Sequence, residues 1–183
     1  MPLENKQVYT RKRKIFREFL IYITIVLAAV ISATLIRIYI LEPFNVPTPS
    51  MESVLEVGDK VIINKLAYKF GIMKRGDIVA FHSPLEKKDL VKRVIAIEGD
   101  EITLTTEGEI FINGEKIVEN YLPADQDIFY INQTVTVGKN ELFVMGDNRN
   151  NSFDSRFFGT ISEDDVFGEL IMIYWPSSRW EFF

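Results

Sequence analysis

The sequence predicts a mainly β protein, an antiparallel and partly closed barrel or sandwich preceded by one N-terminal transmembrane helix. Three observations carry that expectation. Residues 19–41 form one long apolar run, the chain from Lys60 onward breaks into short β-branched segments, and all ten glycines lie beyond residue 57 and punctuate those segments. Strands this short and closely spaced fold onto themselves as antiparallel sheets. With 47% apolar and 26% charged residues, the 183-residue chain can bury one ordinary core and is not a disordered one.

The first element is basic. Residues 1–18 carry Lys6, Arg11, Lys12, Arg13, Lys14 and Arg17 against Glu4 and Glu18. Phe19 to Ile36 is then uncharged, and apolar character resumes after Arg37 through Leu41. Roughly 20 helical residues cross a bilayer core, and Lys and Arg are enriched on the cytoplasmic flank. Residues 1–18 are therefore expected to be a cytoplasmic arm, 19–41 a membrane anchor, and 42–183 an extracytoplasmic body in contact with membrane lipid. A cleaved secretory signal has an apolar core of about 7–15 residues ending at a small-residue site. This run is longer and leads into Arg37 and bulky residues. A basic arm ahead of an acidic body (net charge −5 overall) raises nucleic acid as a partner. The apolar run directly behind the arm accounts for it better as a membrane flank, so no nucleic acid is expected.

The body reads as strands. Lys60–Ile63, Asp77–Phe81, Leu90–Ile97 and Glu101–Leu104 are β-branched runs between turn signals. Ile110–Ile112, Asn113-Gly114 and Glu115–Ile117 read as a hairpin, because Asn-Gly suits a type I′ turn. Val135–Val137, Glu141–Met145 and Gly168–Tyr174 complete at least eight candidates. Strong helical periodicity is confined to the anchor.

The chemistry centres on Ser50, nine residues beyond Leu41 in Val46-Pro47-Thr48-Pro49-Ser50-Met51. The prolines hold an extended approach that presents the serine. A serine hydroxyl is a poor nucleophile near neutral pH without a base. The chain has no cysteine and one histidine, His82, which sits at a strand end beside nothing resembling a triad partner. Lysine can serve as base when burial lowers its pKa. Lys92 fits, since alternation along residues 90–97 places it with Leu90, Val94 and Ala96, while Arg93 shares the other face with Val91 and Ile95. A third segment, 145–156, is dense in Asn, Asp, Ser and Arg after a hydrophobic strand. It lacks the twelfth-position glutamate and flanking helices of a calcium loop, so no metal and no cofactor is expected.

Together these segments resemble the ordered boxes of bacterial type I signal peptidases. The resemblance rests on Val46–Met51, Arg75–Phe81, Lys92–Asp100 and Gly146–Arg156, with Tyr174–Trp180 similar to the family's C-terminal stretch. It implies a membrane-bound serine endopeptidase of the signal-peptidase β fold. Such an enzyme uses a Ser/Lys dyad to remove signal peptides from exported preproteins. By resemblance, Ser50 matches the nucleophile and Lys92 the general base. The Thr48 hydroxyl and the Ser50 backbone N–H match the oxyanion hole, and Ser152 the serine that orients the lysine. Asp147, Arg149, Asp154 and Arg156 match residues that hold the site's scaffold. Shallow apolar pockets for small substrate residues are expected from Phe44, Val46, Met51, Leu55, Leu90 and Val91. Asn150 stands where the family usually has Asp, and Ser53-Val54-Leu55 where it usually has Pro-Thr-Leu. The segment from Lys92 to Gly146 is short for the family, so about 101–140 is expected to be a reduced second β subdomain. A self-cleaving repressor-type peptidase would carry a DNA-binding domain instead of the membrane run. An inactive paralogue would lack the serine or the lysine.

Overall fold

Leu3–Tyr39 forms a single helix, α1, in the computed structural model, which describes residues 3–85, 87–123 and 128–183. The stretch is free of proline and glycine, and Pro43 lies just beyond its end. Within Arg13–Tyr39 an 18-residue window reaches a mean hydropathy of 2.6, so the segment is long and apolar enough to cross a membrane. Thr24 and Thr34 donate their hydroxyl protons to the carbonyls of Leu20 and Val30, one turn back. Both polar side chains are thereby satisfied within the helix.

Among the described residues, the second unit, Leu41–Phe183, has twelve strands and two short α-helices. The strands are β1 (Leu41–Asn45), β2 (Lys60–Asn64), β3 (Ile78–His82), β4 (Asp89–Ala96), β5 (Glu101–Leu104) and β6 (Ile110–Ile112). They continue as β7 (Glu115–Lys116), β8 (Gln133–Thr136), β9 (Glu141–Met145), β10 (Ile161–Ser162), β11 (Val166–Trp175) and β12 (Glu181–Phe182). Helices α2 (Ala67–Phe70) and α3 (Ser155–Phe158) are single turns. Neither has enough residues to show a helical period in the sequence.

A curled antiparallel sheet runs in the order β1-β2-β11-β3-β4-β9-β10, with β12 added beside β11. A smaller sheet runs β7-β6-β5-β8. Its β6–β7 hairpin turns at Asn113-Gly114, both at positive φ (53° and 83°), the backbone that a type I′ turn demands. Three apolar clusters hold the unit together. One lies around Met51, Leu55, Val61, Ile63, Ala80, Val91 and Ile173, beneath the serine loop. Another joins the small sheet to the large one through Ile95, Ile102, Ile112, Phe143 and Met145. The last packs Val79, Phe81, Val94 and Val144 against Leu90 and Phe158.

One expectation fails in β4. Lys92 lies opposite Val79 and Leu90 opposite Phe81, so Lys92, Leu90 and Val94 do share a face. Ala96 does not join them. The register against β9 slips between Val94 and Ala96, leaving Ile95 as the extra residue of a bulge. A bulge inserts one residue and breaks the two-residue alternation. Ala96 consequently packs with Ile95 and Phe143 in the cluster beneath the small sheet.

Candidate active site

Ser50 is held from both sides of the sequence. It lies in a 3₁₀ turn, Pro49–Met51, entered from Thr48 in extended backbone. The loop that follows β9 grips this turn. Asn148 N donates to Ser50 O (3.1 Å) and Asn148 Nδ2 donates to Pro49 O (3.0 Å). Behind it, Arg179 donates to the buried carboxylate of Asp59, to Glu56 and to Val54 O, tying the C-terminal stretch to the segment that carries Leu55.

Lys92 approaches from β4. Its Nζ donates to Ser50 Oγ at 2.6 Å and to Val91 O at 3.0 Å, and the residue is 2% exposed. Burial lowers its pKa from 10.5 to about 8, because the ammonium loses its water. The Asp154 and Asp147 carboxylates oppose that shift, while Lys88 and Arg156 reinforce it. Thr48 Oγ1 lies 3.2 Å from Ser50 Oγ. A serine, a buried lysine with a lowered pKa and a second hydroxyl therefore converge on one point, an arrangement suited to acyl transfer.

The loop 146–156 is a set of ion pairs. Asp147 accepts two hydrogen bonds from Arg93 (2.9 and 2.7 Å), and Asp154 accepts two from Arg156 (2.7 and 2.8 Å). Such forked pairs are among the strongest polar contacts available to a side chain. Asp154 also accepts from Gly146 N at 2.9 Å. Gly146 must be glycine here for lack of space, since a Cβ would overlap Ser152 Oγ and the Ser50 carbonyl oxygen. Ser152 Oγ is buried at this contact and makes no hydrogen bond to the described residues.

A cavity of about 90 Å³ opens beside Ser50. Phe44, Val46, Met51, Leu55, Leu90 and Val91, the six residues expected as pocket walls, all line it together with Thr48, Ser50 and Lys92. Lys88 and Asp89 line it too and carried no signal in the sequence. His82 stands apart from the serine. Contrary to expectation it has an acidic neighbour, Asp89, at 2.7 Å across the β3–β4 pair, and its ring lies against Phe167. The side chain is 64% exposed at the strand end.

Four polar residues beyond the expected set complete the surroundings. Arg93 is the cation opposite Asp147, and it also lies 3.9 Å over the Tyr121 ring. Glu119 makes a forked pair with Arg149 (2.6 and 2.5 Å), and Tyr130 accepts from the same guanidinium at 2.7 Å. Arg93 was readable from its place beside Lys92. Glu119, Tyr121 and Tyr130 lie in a segment with no motif.

Residues 19–175 match the family described as signal peptidase, peptidase S26. The chain is 34% identical to a signal peptidase I of Leptolyngbya laminosa over 159 residues, covering 82% of this chain and 77% of that one. It is 36% identical to a signal peptidase I of Bacillus caldolyticus over 168 residues, covering 85% and 90%. A crystal structure of a signal peptidase I from Enterococcus faecalis V583 aligns with a TM-score of 0.48 and 30% identity, covering 54% of this chain and 97% of that one. The chain belongs to the signal peptidase S26 family, whose members are serine endopeptidases that cleave signal peptides from preproteins.

Proposed function

We propose that this chain cleaves N-terminal signal peptides from exported preproteins at the membrane surface, with Ser50 as nucleophile and Lys92 as general base. The observation that carries the reading is the 2.6 Å contact between Lys92 Nζ and Ser50 Oγ in a buried setting. Neutral Lys92 takes the Ser50 proton as Oγ attacks the scissile carbonyl. The developing oxyanion accepts from the Ser50 N–H and the Thr48 hydroxyl. Lys92 then returns the proton to the leaving amine, and a water activated by Lys92 hydrolyses the acyl-enzyme. Ser152, whose Oγ packs against Gly146 without a hydrogen bond to the described residues, is assigned the lysine-orienting role by the family resemblance alone. Asp147, Arg149, Asp154 and Arg156 keep the loop in place around it.

A cavity of about 90 Å³ supports a preference for small side chains before the cut, since a larger one overlaps the walls. The apolar helix anchors the enzyme where signal peptides sit. The basic residues ahead of the span favour a cytoplasmic N-terminus and an extracytoplasmic body. The test uses the full chain in detergent micelles with a preprotein carrying an N-terminal signal. Ser50→Ala and Lys92→Ala each abolish cleavage while the circular dichroism spectrum stays that of the wild type. Cleavage retained in Ser50→Ala would rule the nucleophile out.

A further inference from the structure

We propose that Glu119, from the segment between β7 and β8, is a positioning residue for the Ser50–Lys92 site, acting through Arg149 and the Gly146 peptide. The inference rests on the dyad reading above and adds a residue from outside the loop that carries it.

The chain of contacts is short. Gly146 packs against both Ser152 Oγ and the Ser50 carbonyl oxygen, with no room for even a methyl group. Its peptide groups are held on both sides. Asp154 accepts from Gly146 N at 2.9 Å, and Arg149 Nε donates to Gly146 O at 3.0 Å. Asp154 receives its own cation, Arg156, from within the loop. Arg149 does not find its anion there. It is 1% exposed, and its two terminal nitrogens reach Glu119 at 2.6 and 2.5 Å. Tyr130 OH accepts at 2.7 Å, and Tyr121 OH lies 3.5 Å from Nη2 while also donating to Glu119. All five N–H groups of the guanidinium are thereby directed, and Glu119 sets the plane in which Nε meets Gly146 O.

A buried arginine without its carboxylate is strongly unfavourable and would turn toward water. Turning it releases Gly146 O, and Gly146 is the surface on which the Ser50 carbonyl and Ser152 rest. A displacement of about 1 Å at a reacting group costs up to about 100-fold in rate. The Tyr121 ring beneath Arg93 links the same segment to the Arg93–Asp147 pair, one residue from Lys92. The smaller sheet's connecting segment therefore braces the acyl-transfer site from behind while supplying no group to the reaction.

The experiment measures kcat and KM of the full chain in detergent micelles on a signal-peptide-derived peptide, per mole of enzyme folded by near-ultraviolet circular dichroism. Glu119→Gln is expected to lower kcat about tenfold with KM within twofold of wild type. A kcat within twofold of wild type, or a change confined to KM, would overturn the proposal. A second variant covers the case in which Glu119→Gln fails to fold. Glu119→Leu with Arg149→Met removes the anion and the stranded cation together, a replacement that commonly folds. The double variant is expected to stay about tenfold slow, because Gly146 O has lost its donor. Wild-type turnover in the folded double variant would show that Glu119 only neutralises Arg149, and would sink the idea. Ser50→Ala in the same assay separates the two readings. If it is inert while Glu119→Gln turns over normally, only the role of Glu119 fails; if it cleaves, the dyad fails first.

Discussion

Replacing Lys92 by methionine should abolish activity and make the protein more stable. Methionine is unbranched and of similar length, so it can occupy the same channel without a charge. In the wild type, Lys92 is buried at 2% exposure with a pKa lowered from 10.5 to about 8. At 1.36 kcal/mol per pH unit, that gap corresponds to about 3 kcal/mol spent holding the ammonium in the folded state. The sign follows from proton counts. Between pH 8 and 10.5 the unfolded chain binds a proton at Lys92 that the folded chain does not, so wild-type stability rises with pH through that window. The advantage of Lys92→Met is therefore full below pH 8 and fades to below about 1 kcal/mol at pH 10.5. Chemical unfolding of both proteins in the same micelles at pH 6.5, 8 and 10.5 reads the difference. A variant less stable than wild type at pH 6.5, or an advantage that does not change with pH, would refute the account of a strained buried amine.

The same pKa gives kcat/KM an acid limb with a midpoint near pH 8, activity rising as Lys92 loses its proton; a limb at an ordinary histidine pKa that vanishes in His82→Ala would contradict it. Thr48→Val keeps the shape but removes the hydroxyl 3.2 Å from Ser50 Oγ, and kcat should fall by about 100-fold without being abolished. Leu90→Ala widens the cavity beside Ser50, and a substrate with valine before the cut should gain relative to alanine in competition assays. Asp147→Asn strands the buried Arg93 guanidinium and should lower unfolding free energy by about 3 kcal/mol, measured by denaturant titration.

The reach of the sequence can be judged from individual residues. Asn113-Gly114 determined its own turn, because only a few residue pairs accept positive φ twice in succession. Ser50 and Lys92 were identifiable as candidates because a proline-framed serine and a lysine on an apolar strand face are both chemically odd. Ala96 was misplaced for a physical reason. Alternation assumes a period of two, and a bulge at Ile95 leaves no mark in a run of apolar residues that suit either face. Strand β1 was hidden by the apolar run before it, and its pairing with β2 from Leu41 to Asn45 is a tertiary choice. Glu119 was invisible for a related reason. It lies in a mixed stretch without period or motif, and its meaning comes from Arg149, thirty residues away in sequence and 2.6 Å away in space.

In the proposed reaction Ser50 forms a covalent acyl intermediate with Lys92 as its base. The most direct measurement uses an ester analogue of a signal-peptide cleavage segment, whose acylation outruns its hydrolysis, quenched in acid and mapped by mass spectrometry. The acyl group is expected on Ser50, absent in Ser50→Ala, and formed more slowly in Lys92→Met. Turnover of the ester with no adduct, or with the adduct on another residue, would contradict it.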